Sequence, residues 1–302
     1  MYYNKLSDYL KSEYGCKVYK LSLSAKVTCP NRDGTCGEKG CIFCSDFGSG
    51  EFSENAELPV FEQIEKAKLR VNKKIKDGKY IAYFQSFTNT YGDIEYLEKT
   101  FLEAINHPDI VILSIATRPD CLGEDVLYML KRLNAIKPVW VELGLQTSND
   151  KTARYIRRGY KTEVYSKAVK KLKSIGIKVI THMIIGLPKE SEEDIIETAR
   201  FIGRTGTDGI KLHLLHILKG TDIEMEFLNG SFTTLSIDEY VKILGECIKV
   251  LPKSMVIHRL TGDGNKKALI APLWSADKKR VLNKVNEFFK VNNIEQGSNF
   301  TK

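Results

Sequence analysis

Short runs of β-branched and aromatic residues alternate along the chain with longer segments in which apolar residues recur every three to four positions. A short apolar run bounded by polar residues is typical of a buried strand, and the longer period is typical of an amphipathic helix. The pattern therefore predicts six strands separated by helices, at residues 18–24, 80–87, 110–116, 139–145, 179–187 and 210–218.

The order of these elements predicts the fold class. Near-continuous apolar strands, each followed by a helix, are typical of a parallel sheet covered by helices. A dinucleotide-binding fold is disfavoured, since no Gly-x-Gly-x-x-Gly follows the first strand. We therefore predict an α/β protein with a partial (β/α)6 TIM-like barrel over residues 1–254. A short C-terminal extension over residues 255–302 would pack on the barrel and contain a strand at 256–260 and a final helix.

Composition narrows the class of protein. The chain has 302 residues, of which 42% are hydrophobic and 28% charged, as is usual for a globular protein in water. The longest apolar stretch, residues 179–187, is too short to span a bilayer, and the first residues lack the pattern of a signal peptide. We therefore expect a cytoplasmic protein that has no membrane partner.

Four of the seven cysteines lie within residues 29–44, directly after the first predicted strand. Clustered thiols in a reducing compartment are typical of a metal or cluster site, and cubane iron–sulfur clusters are bound by cysteine thiolates. Structural zinc sites usually pair two C-x-x-C knuckles. Cys41 and Cys44 form one such knuckle, but Cys29 and Cys36 are too far apart in sequence to form a second. The spacing therefore favours an iron–sulfur cluster and leaves zinc as an alternative.

The cysteine segment resembles that of the radical SAM superfamily. Its members bind a 4Fe–4S cluster through three cysteines and S-adenosylmethionine (SAM) through the fourth iron. The C-x11-C-x2-C spacing of Cys29, Cys41 and Cys44 is similar to that of one group, the YhcC/YtqA-type proteins, which are related to the radical SAM domain of the Elongator catalytic subunit. Further segments resemble motifs of that group, in the same order along almost the whole chain: residues 84–91, 142–146, 157–160, 185–190, 218–221, 258–264 and 271–275.

The resemblance implies which residues bind the two cofactors. Cys29, Cys41 and Cys44 would hold the 4Fe–4S cluster, and Cys36 has no counterpart among the ligands. The residues implied to bind SAM lie at the ends of predicted strands or beside the cysteines: Phe43, Gln85, Thr88, Asn89, Glu142, Gln146, Arg158 and Gly186. Phe43 would lie against the adenine. Gln85, Thr88 and Asn89 stand where most of the superfamily has Gly-Gly-Glu.

Two of these residues have a second interpretation. Glu142 lies in an otherwise apolar strand, where a carboxylate needs a partner, so it could instead form a structural ion pair inside the barrel. Arg157 competes with Arg158 for the SAM carboxylate, which a guanidinium would hold through two hydrogen bonds. The resemblance points to Arg158, which directly precedes Gly159.

The activity that the resemblance implies is reductive cleavage of SAM to methionine and a 5′-deoxyadenosyl radical, which abstracts hydrogen from a substrate. Such a reaction requires an electron donor such as flavodoxin or ferredoxin. Two alternatives remain open. One is a zinc-stabilised nucleic-acid-binding protein without SAM chemistry, and the other is a SAM-binding protein that uses its cluster for electron transfer only.

Charge is the one feature of the sequence that bears on the substrate. Residues 265–302 contain eight Lys or Arg and three Asp or Glu, more than half of the chain's net charge of +8. A basic surface attracts polyanions, so RNA is one candidate substrate. Arg259 and Asp263, which precede this segment, would line the substrate mouth. The competing hypothesis is a small metabolite held by Arg259.

Overall fold

Seven parallel strands form one curled sheet, an open barrel, in this computed structural model. The structure describes residues 2–48, 50–71, 78–262 and 264–301. The strands, in chain order, are β1 Val18–Leu23, β2 Lys79–Phe84, β3 Ile110–Thr117, β4 Val139–Gln146, β5 Lys178–Ile185, β6 Gly209–Leu214, β7 Ile217–Leu218, β8 Val256–Arg259 and β9 Leu269–Ala271. The sheet has the order β1-β2-β3-β4-β5-β6-β8, and β7 pairs separately with β9 in antiparallel orientation.

Helices connect the strands and cover the outer face of the sheet. They are α1 Leu6–Tyr14, α2 Val60–Val71, α3 Ile94–Asn106, α4 Glu124–Asn134, α5 Asp150–Tyr155, α6 Thr162–Ser174, α7 Glu192–Arg204, α8 Asp222–Leu228, α9 Ile237–Val250 and α10 Lys278–Val291, with a 3-10 turn at Leu273–Ala276. Their apolar faces meet the outward side chains of the strands, as where Phe101 packs edge-on against Phe84 with ring centroids 5.0 Å apart. This contact surface forms the main hydrophobic core.

The predicted fold class is confirmed, but the sheet has one more strand than the six predicted. Residues 256–260, predicted as a strand of the extension, pair with β6 through Gly209 with Val256 and Ile210 with Ile257. Pairing there covers the backbone groups that β6 would otherwise expose at a sheet edge. The sheet therefore continues past residue 254, and a domain boundary at that position stays a prediction.

The sixth predicted strand, residues 210–218, was wrong as one continuous element. β6 ends at Leu214, and Ile217–Leu218 turns away from the sheet to pair with β9. The apolar run continues across this bend because Leu215 and Ile217 are buried in a second apolar cluster. Hydrophobicity alone therefore did not reveal where the strand ends.

Inside the barrel, the side chains near the amino-terminal ends of the strands are apolar. Leu10 of α1 is buried against Ile81, Ile112, Trp140 and Ile180, which point inward from neighbouring strands. Helix α1 thus closes this end of the interior, and the opposite end, where the strands terminate, remains as the mouth. Active sites of parallel β/α barrels lie at that mouth.

Candidate functional site

The cysteine loop, residues 29–44, follows β1 at the mouth of the barrel. Short backbone hydrogen bonds fold it: the Cys36 N–H donates to the Pro30 carbonyl at 2.7 Å, and the Cys44 N–H donates to the Cys41 carbonyl at 3.0 Å. Cys29, Cys41 and Cys44 are partly buried, whereas Cys36 is exposed. The loop therefore gives its three predicted ligands a shared environment that differs from that of Cys36.

The spacing of the thiol sulfurs bears on the kind of metal site. Zinc bound at ~2.3 Å from each sulfur in a tetrahedron would hold its sulfurs ~3.8 Å apart. In the part of the chain that the structure describes, no three sulfurs of the loop lie within 4.8 Å of one another. The thiols are therefore not arranged as a closed tetrahedral zinc site, and a 4Fe–4S cluster, whose cysteine ligands bind separate irons, does not require one.

Asn31 fixes the loop to the segment that follows α5. Its buried amide Nδ2 donates to the Arg157 carbonyl at 2.7 Å and to the Arg158 carbonyl at 3.2 Å, and lies 3.6 Å from the Cys41 sulfur. Gly159 has φ of +87°, and a Cβ there would lie 2.5 Å from Asn31 Oδ1. Glycine is thus required at position 159 for two reasons: the left-handed backbone conformation and the close approach of the cysteine loop.

Arg118, at the end of β3, supplies positive charge to the cysteines. Burial raises the pKa of the Cys41 thiol to about 12, the neighbouring Cys44 adds to this, and Arg118 opposes it. The Arg118 guanidinium donates to the Arg158 carbonyl at 2.9 Å and pairs with Asp120 at 2.6 Å. Since only thiolates bind iron, a nearby cation helps the loop to lose its protons. Arg118 was not among the site residues predicted from the sequence, although its position directly after a strand was a usable signal.

The two candidate arginines have different surroundings. The buried Arg158 guanidinium donates to the carbonyls of Leu145 at 2.9 Å, Thr147 at 2.6 Å and Tyr160 at 2.8 Å, and to Asp150 at 3.2 Å. Arg157 is half-buried and ion-paired with Asp222. The contacts of Arg158 fix the chain after β4. Its role as a ligand of the SAM carboxylate stays a prediction.

Phe43 and Gly186 lie in one region of the mouth. Phe43 packs against the second apolar cluster, which contains Ile42, Ile156 and Leu187. Gly186, which precedes Leu187, has φ of +91°. The cysteine loop and the end of β5 therefore meet through apolar side chains. Contact of Phe43 and Gly186 with the adenine stays a prediction.

The three residues at and after the end of β2 have different surroundings. The buried amide of Asn89 donates to the carbonyls of Phe84, Ser86 and Ala116 at 3.0–3.2 Å, so it ties the end of β2 to β3. Thr88 is buried as well, whereas Gln85 is partly exposed and accepts a hydrogen bond from Ser22 at 3.2 Å. Of the three, Gln85 is the one placed inside the barrel beside Ser22. SAM binding by these residues stays a prediction.

Glu142 is the centre of a charged layer inside the barrel, formed with Lys20, Ser114, His182 and Lys211. Its fully buried carboxylate accepts hydrogen bonds from Ser114 Oγ at 2.7 Å and His182 Nε2 at 2.6 Å, and pairs with Lys20 and Lys211. The ion pairs foreseen as the alternative role of Glu142 are therefore present. Direct contact with SAM stays a prediction.

The pKa values of this layer follow from burial and charge. Burial alone would raise the pKa of Glu142, but Lys20, Lys211 and His182 hold it well below its usual range. Burial, aided by Lys211, lowers the pKa of His182 to about 4. His182 is therefore neutral near pH 7, and its Nε2–H donates to the Glu142 carboxylate. Glu142 was predicted from the sequence, whereas Lys20, His182 and Lys211 were not, because alternation shows which residues share a face and not which strands are neighbours.

Above the charged layer, the interior is open. Inward-facing Ser22, Gln85, Gly144 and His213 are partly exposed, whereas the outward residues beside them, such as Leu143, are buried under helices. We call this space between the charged layer and the cysteine loop the chamber. Polar side chains and a glycine line it, and polar groups in a ligand site fix the orientation of the bound molecule.

Gln146 and Gly144 leave a place for such a ligand at the end of β4. The Gln146 Oε1 atom is buried without a hydrogen-bond partner among the described residues, and its backbone has φ of +64°. A Cβ at Gly144 would lie 2.6 Å from Gln146 Nε2. An unsatisfied buried acceptor is rare in folded proteins and points to a missing donor. The arrangement fits a bound molecule with N–H or O–H groups, as SAM has.

The two predicted substrate residues differ in what the structure says of them. Arg259 ends β8 and acts electrostatically on Lys211 and on His213, which places it beside the charged layer. Asp263 lies outside the described residues. A substrate role for either residue stays a prediction.

Comparison with known proteins agrees with this geometry. The family model described as the radical SAM superfamily matches residues 31–202, and that of the radical SAM C-terminal domain matches residues 207–290. The chain is 42% identical over 300 residues to the uncharacterized protein YtqA of Bacillus subtilis, covering 99% of this chain and 93% of that protein. It is 36% identical over 274 residues to protein YhcC of Escherichia coli, covering 90% of this chain and 87% of that protein.

Two more distant proteins extend the comparison. A tRNA uridine(34) acetyltransferase of Methanocaldococcus jannaschii is 26% identical over 287 residues, which cover 80% of this chain and 51% of that protein. The structure of Methanocaldococcus infernus Elp3 superposes with a TM-score of 0.71 at 18% identity, over 92% of this chain and 64% of that one. This likeness shows the fold. No described helix has the length and apolar character needed to cross a membrane.

Proposed function

This chain belongs to the radical SAM superfamily of enzymes, and on that premise we propose that Cys29, Cys41 and Cys44 hold a 4Fe–4S cluster used for reductive cleavage of SAM. The observation that carries the proposal is the set of three partly buried thiols on the loop that follows β1 at the mouth of an open barrel. When bound, such a cluster supplies the electron that splits SAM into methionine and a 5′-deoxyadenosyl radical.

The chain's own residues would position the reactants and keep water out. Asn31 holds the cysteine loop on the segment after α5, and Arg118 places a cation beside the thiols. The chamber would receive the adenosyl group and the substrate, with Gln146 Oε1 offering an unused acceptor. The charged layer and α1 close the interior beneath it. Restricted access by water protects a reactive intermediate.

Anaerobic purification tests the cluster. Wild-type protein should carry about four irons and four sulfides per chain and, with a strong reductant, convert SAM to 5′-deoxyadenosine. Ser at position 29, 41 or 44 should remove the iron, and the matched variant Cys36→Ser should retain it because Cys36 is the exposed cysteine of the loop. Stoichiometric zinc without sulfide, or equal iron loss in Cys36→Ser, would refute this assignment.

For the substrate we propose RNA. The relative from Methanocaldococcus jannaschii is a tRNA uridine(34) acetyltransferase, and the chain has a net charge of +8. On α10, Lys279 and Arg280 are exposed, which leaves their charge available to a polyanion. Lys284 contributes less, since it pairs with Asp238 at 3.0 Å.

A further inference from the structure

A groove with a volume of about 800 Å³ lies along the cysteine loop. One wall is residues 34–40 of the loop, and the other is formed by α5 and the segment after it, including Arg154, Arg157 and Lys161. The floor includes Asn31, whose Nδ2 is 3.6 Å from the Cys41 sulfur. A single side chain thus separates the surface of the groove from a proposed cluster ligand.

The groove is distinct from the chamber. Its lining comes from loops and α5, whereas the chamber is lined by inward-facing strand residues such as Ser22 and Gln85. The cysteine loop takes part in both the mouth and the groove wall. A molecule in the groove would therefore approach the thiols without entering the space that SAM and the substrate need.

The charge of the groove is positive. Lys39, Arg154 and Lys161 are exposed, and none has an ion-pair partner within 4.0 Å in the described part of the chain. Two acidic residues also line the groove, Glu38 and Asp150, but Asp150 is already bonded to Arg158 and Thr162. Unpaired, solvent-facing cations around a concave surface attract an anionic partner and speed its association.

The proposed function, on which this inference rests, consumes one electron for each SAM that is cleaved. We propose that the groove is the docking surface for a small acidic redox protein of the flavodoxin or ferredoxin class. In the transfer, the donor is oxidised by one electron and the cluster is reduced by one, and no atom or proton has to move between the proteins. Charge complementarity with Lys39, Arg154 and Lys161 holds the donor against the loop.

Binding of an oxidised, negatively charged flavodoxin to the cluster-loaded protein tests the inference without turnover. The groove variant carries Lys39→Glu, Arg154→Glu and Lys161→Glu. The matched control carries Lys66→Glu, Lys99→Glu and Lys131→Glu on the exposed faces of α2, α3 and α4, and has the same net charge. Calorimetry at low salt should show roughly tenfold or greater loss of affinity in the groove variant and little change in the control. Salt should weaken the wild-type complex as it screens exposed charges.

Two further measurements separate the possible failures. Iron content and SAM cleavage driven by dithionite do not depend on a protein electron donor. If the wild type contains no iron or does not cleave SAM with dithionite, the proposed function is wrong, and the result says nothing about docking. Equal affinity of flavodoxin for the wild type and the groove variant, equal weakening in the control, or no wild-type binding of flavodoxin or ferredoxin at low salt would overturn the docking surface. If the groove variant instead loses affinity for tRNA and keeps its affinity for flavodoxin, the groove binds nucleic acid.

Discussion

Asn31 Oδ1 occupies the space beside Gly159 so closely that a Cβ at residue 159 would lie 2.5 Å from it. The contact joins the cysteine loop to the segment that follows α5, because Asn31 also bonds to the carbonyls of Arg157 and Arg158. Arg118 Nη2 would lie 3.0 Å from the same Cβ. The position of the three cysteines therefore depends on a residue more than a hundred positions away in sequence.

Gly159→Ala should displace the loop and lower the iron content of the reconstituted protein. The matched variant is Gly206→Ala, since Gly206 has a similar φ of +76° but nothing within 4 Å of the added Cβ. Both variants should lose about 1–2 kcal/mol of stability from the left-handed backbone. Only Gly159→Ala should lose iron as well. Equal iron content in the two variants would show that the loop does not depend on this contact.

The strands and the cysteine loop could be predicted from the sequence because each depends on local pattern. Apolar runs define β1–β5 to within three residues at each end. The three predicted cluster cysteines were likewise identified from a local pattern, their C-x11-C-x2-C spacing. The Asn31–Gly159 contact was not, since it depends on how two distant segments approach each other.

The charged layer shows a second limit of sequence reasoning. Lys20, Glu142 and Lys211 come from β1, β4 and β6, and their meeting depends on how the sheet curls. A lysine within a strand looks like a solvent-facing residue when the strand is read alone. The strand at residues 256–260 was predicted, but its place in the main sheet was not, because its pairing with the edge of β6 depends on how the chain returns to the sheet.

The second prediction concerns Arg158 and Arg157. Arg158→Ala removes the hydrogen bonds to Leu145, Thr147 and Tyr160 and leaves their carbonyls without that donor. It should lower the melting temperature more than Arg157→Ala does, because the guanidinium of Arg157 is half-exposed. It should also weaken SAM binding more than Arg157→Ala does. Calorimetric titration of SAM and a thermal melt on the same samples measure both effects. Loss of SAM affinity in Arg158→Ala at an unchanged melting temperature would indicate direct contact with SAM in place of positioning.

The third prediction concerns pH. Burial lowers the pKa of His182 to about 4, so between about 6.5 and 4 the unfolded chain takes up a proton at His182 that the folded chain does not. The contribution of neutral His182 to the free energy of unfolding is therefore fully present above about pH 6.5. It is lost as the pH falls towards 4, and the loss amounts to up to about 3 kcal/mol.

Denaturant unfolding at several pH values measures the effect. His182→Gln keeps a donor for Glu142 and should flatten the decline between pH 6.5 and 4. His213 has its pKa lowered by burial in the same direction, so part of the decline should remain. An unchanged slope in His182→Gln would mean that the imidazole is already protonated in the folded state.

The last prediction concerns RNA and α10. Lys278, Lys279 and Arg280 are exposed at the start of this helix, while Val281, Val285 and Phe289 are buried on its opposite side. If RNA binds there, changing the three basic residues and Lys284 to Ser should weaken tRNA binding and reduce its dependence on salt, because fewer counterions are released. The measurement is filter binding of tRNA at two salt concentrations. Lys284→Ser alone serves as the internal control and should change binding little, since Lys284 already pairs with Asp238. If the fourfold variant binds as the wild type does, or if the wild type fails to bind tRNA at low salt, the RNA proposal is wrong and a small metabolite beside Arg259 becomes the better hypothesis.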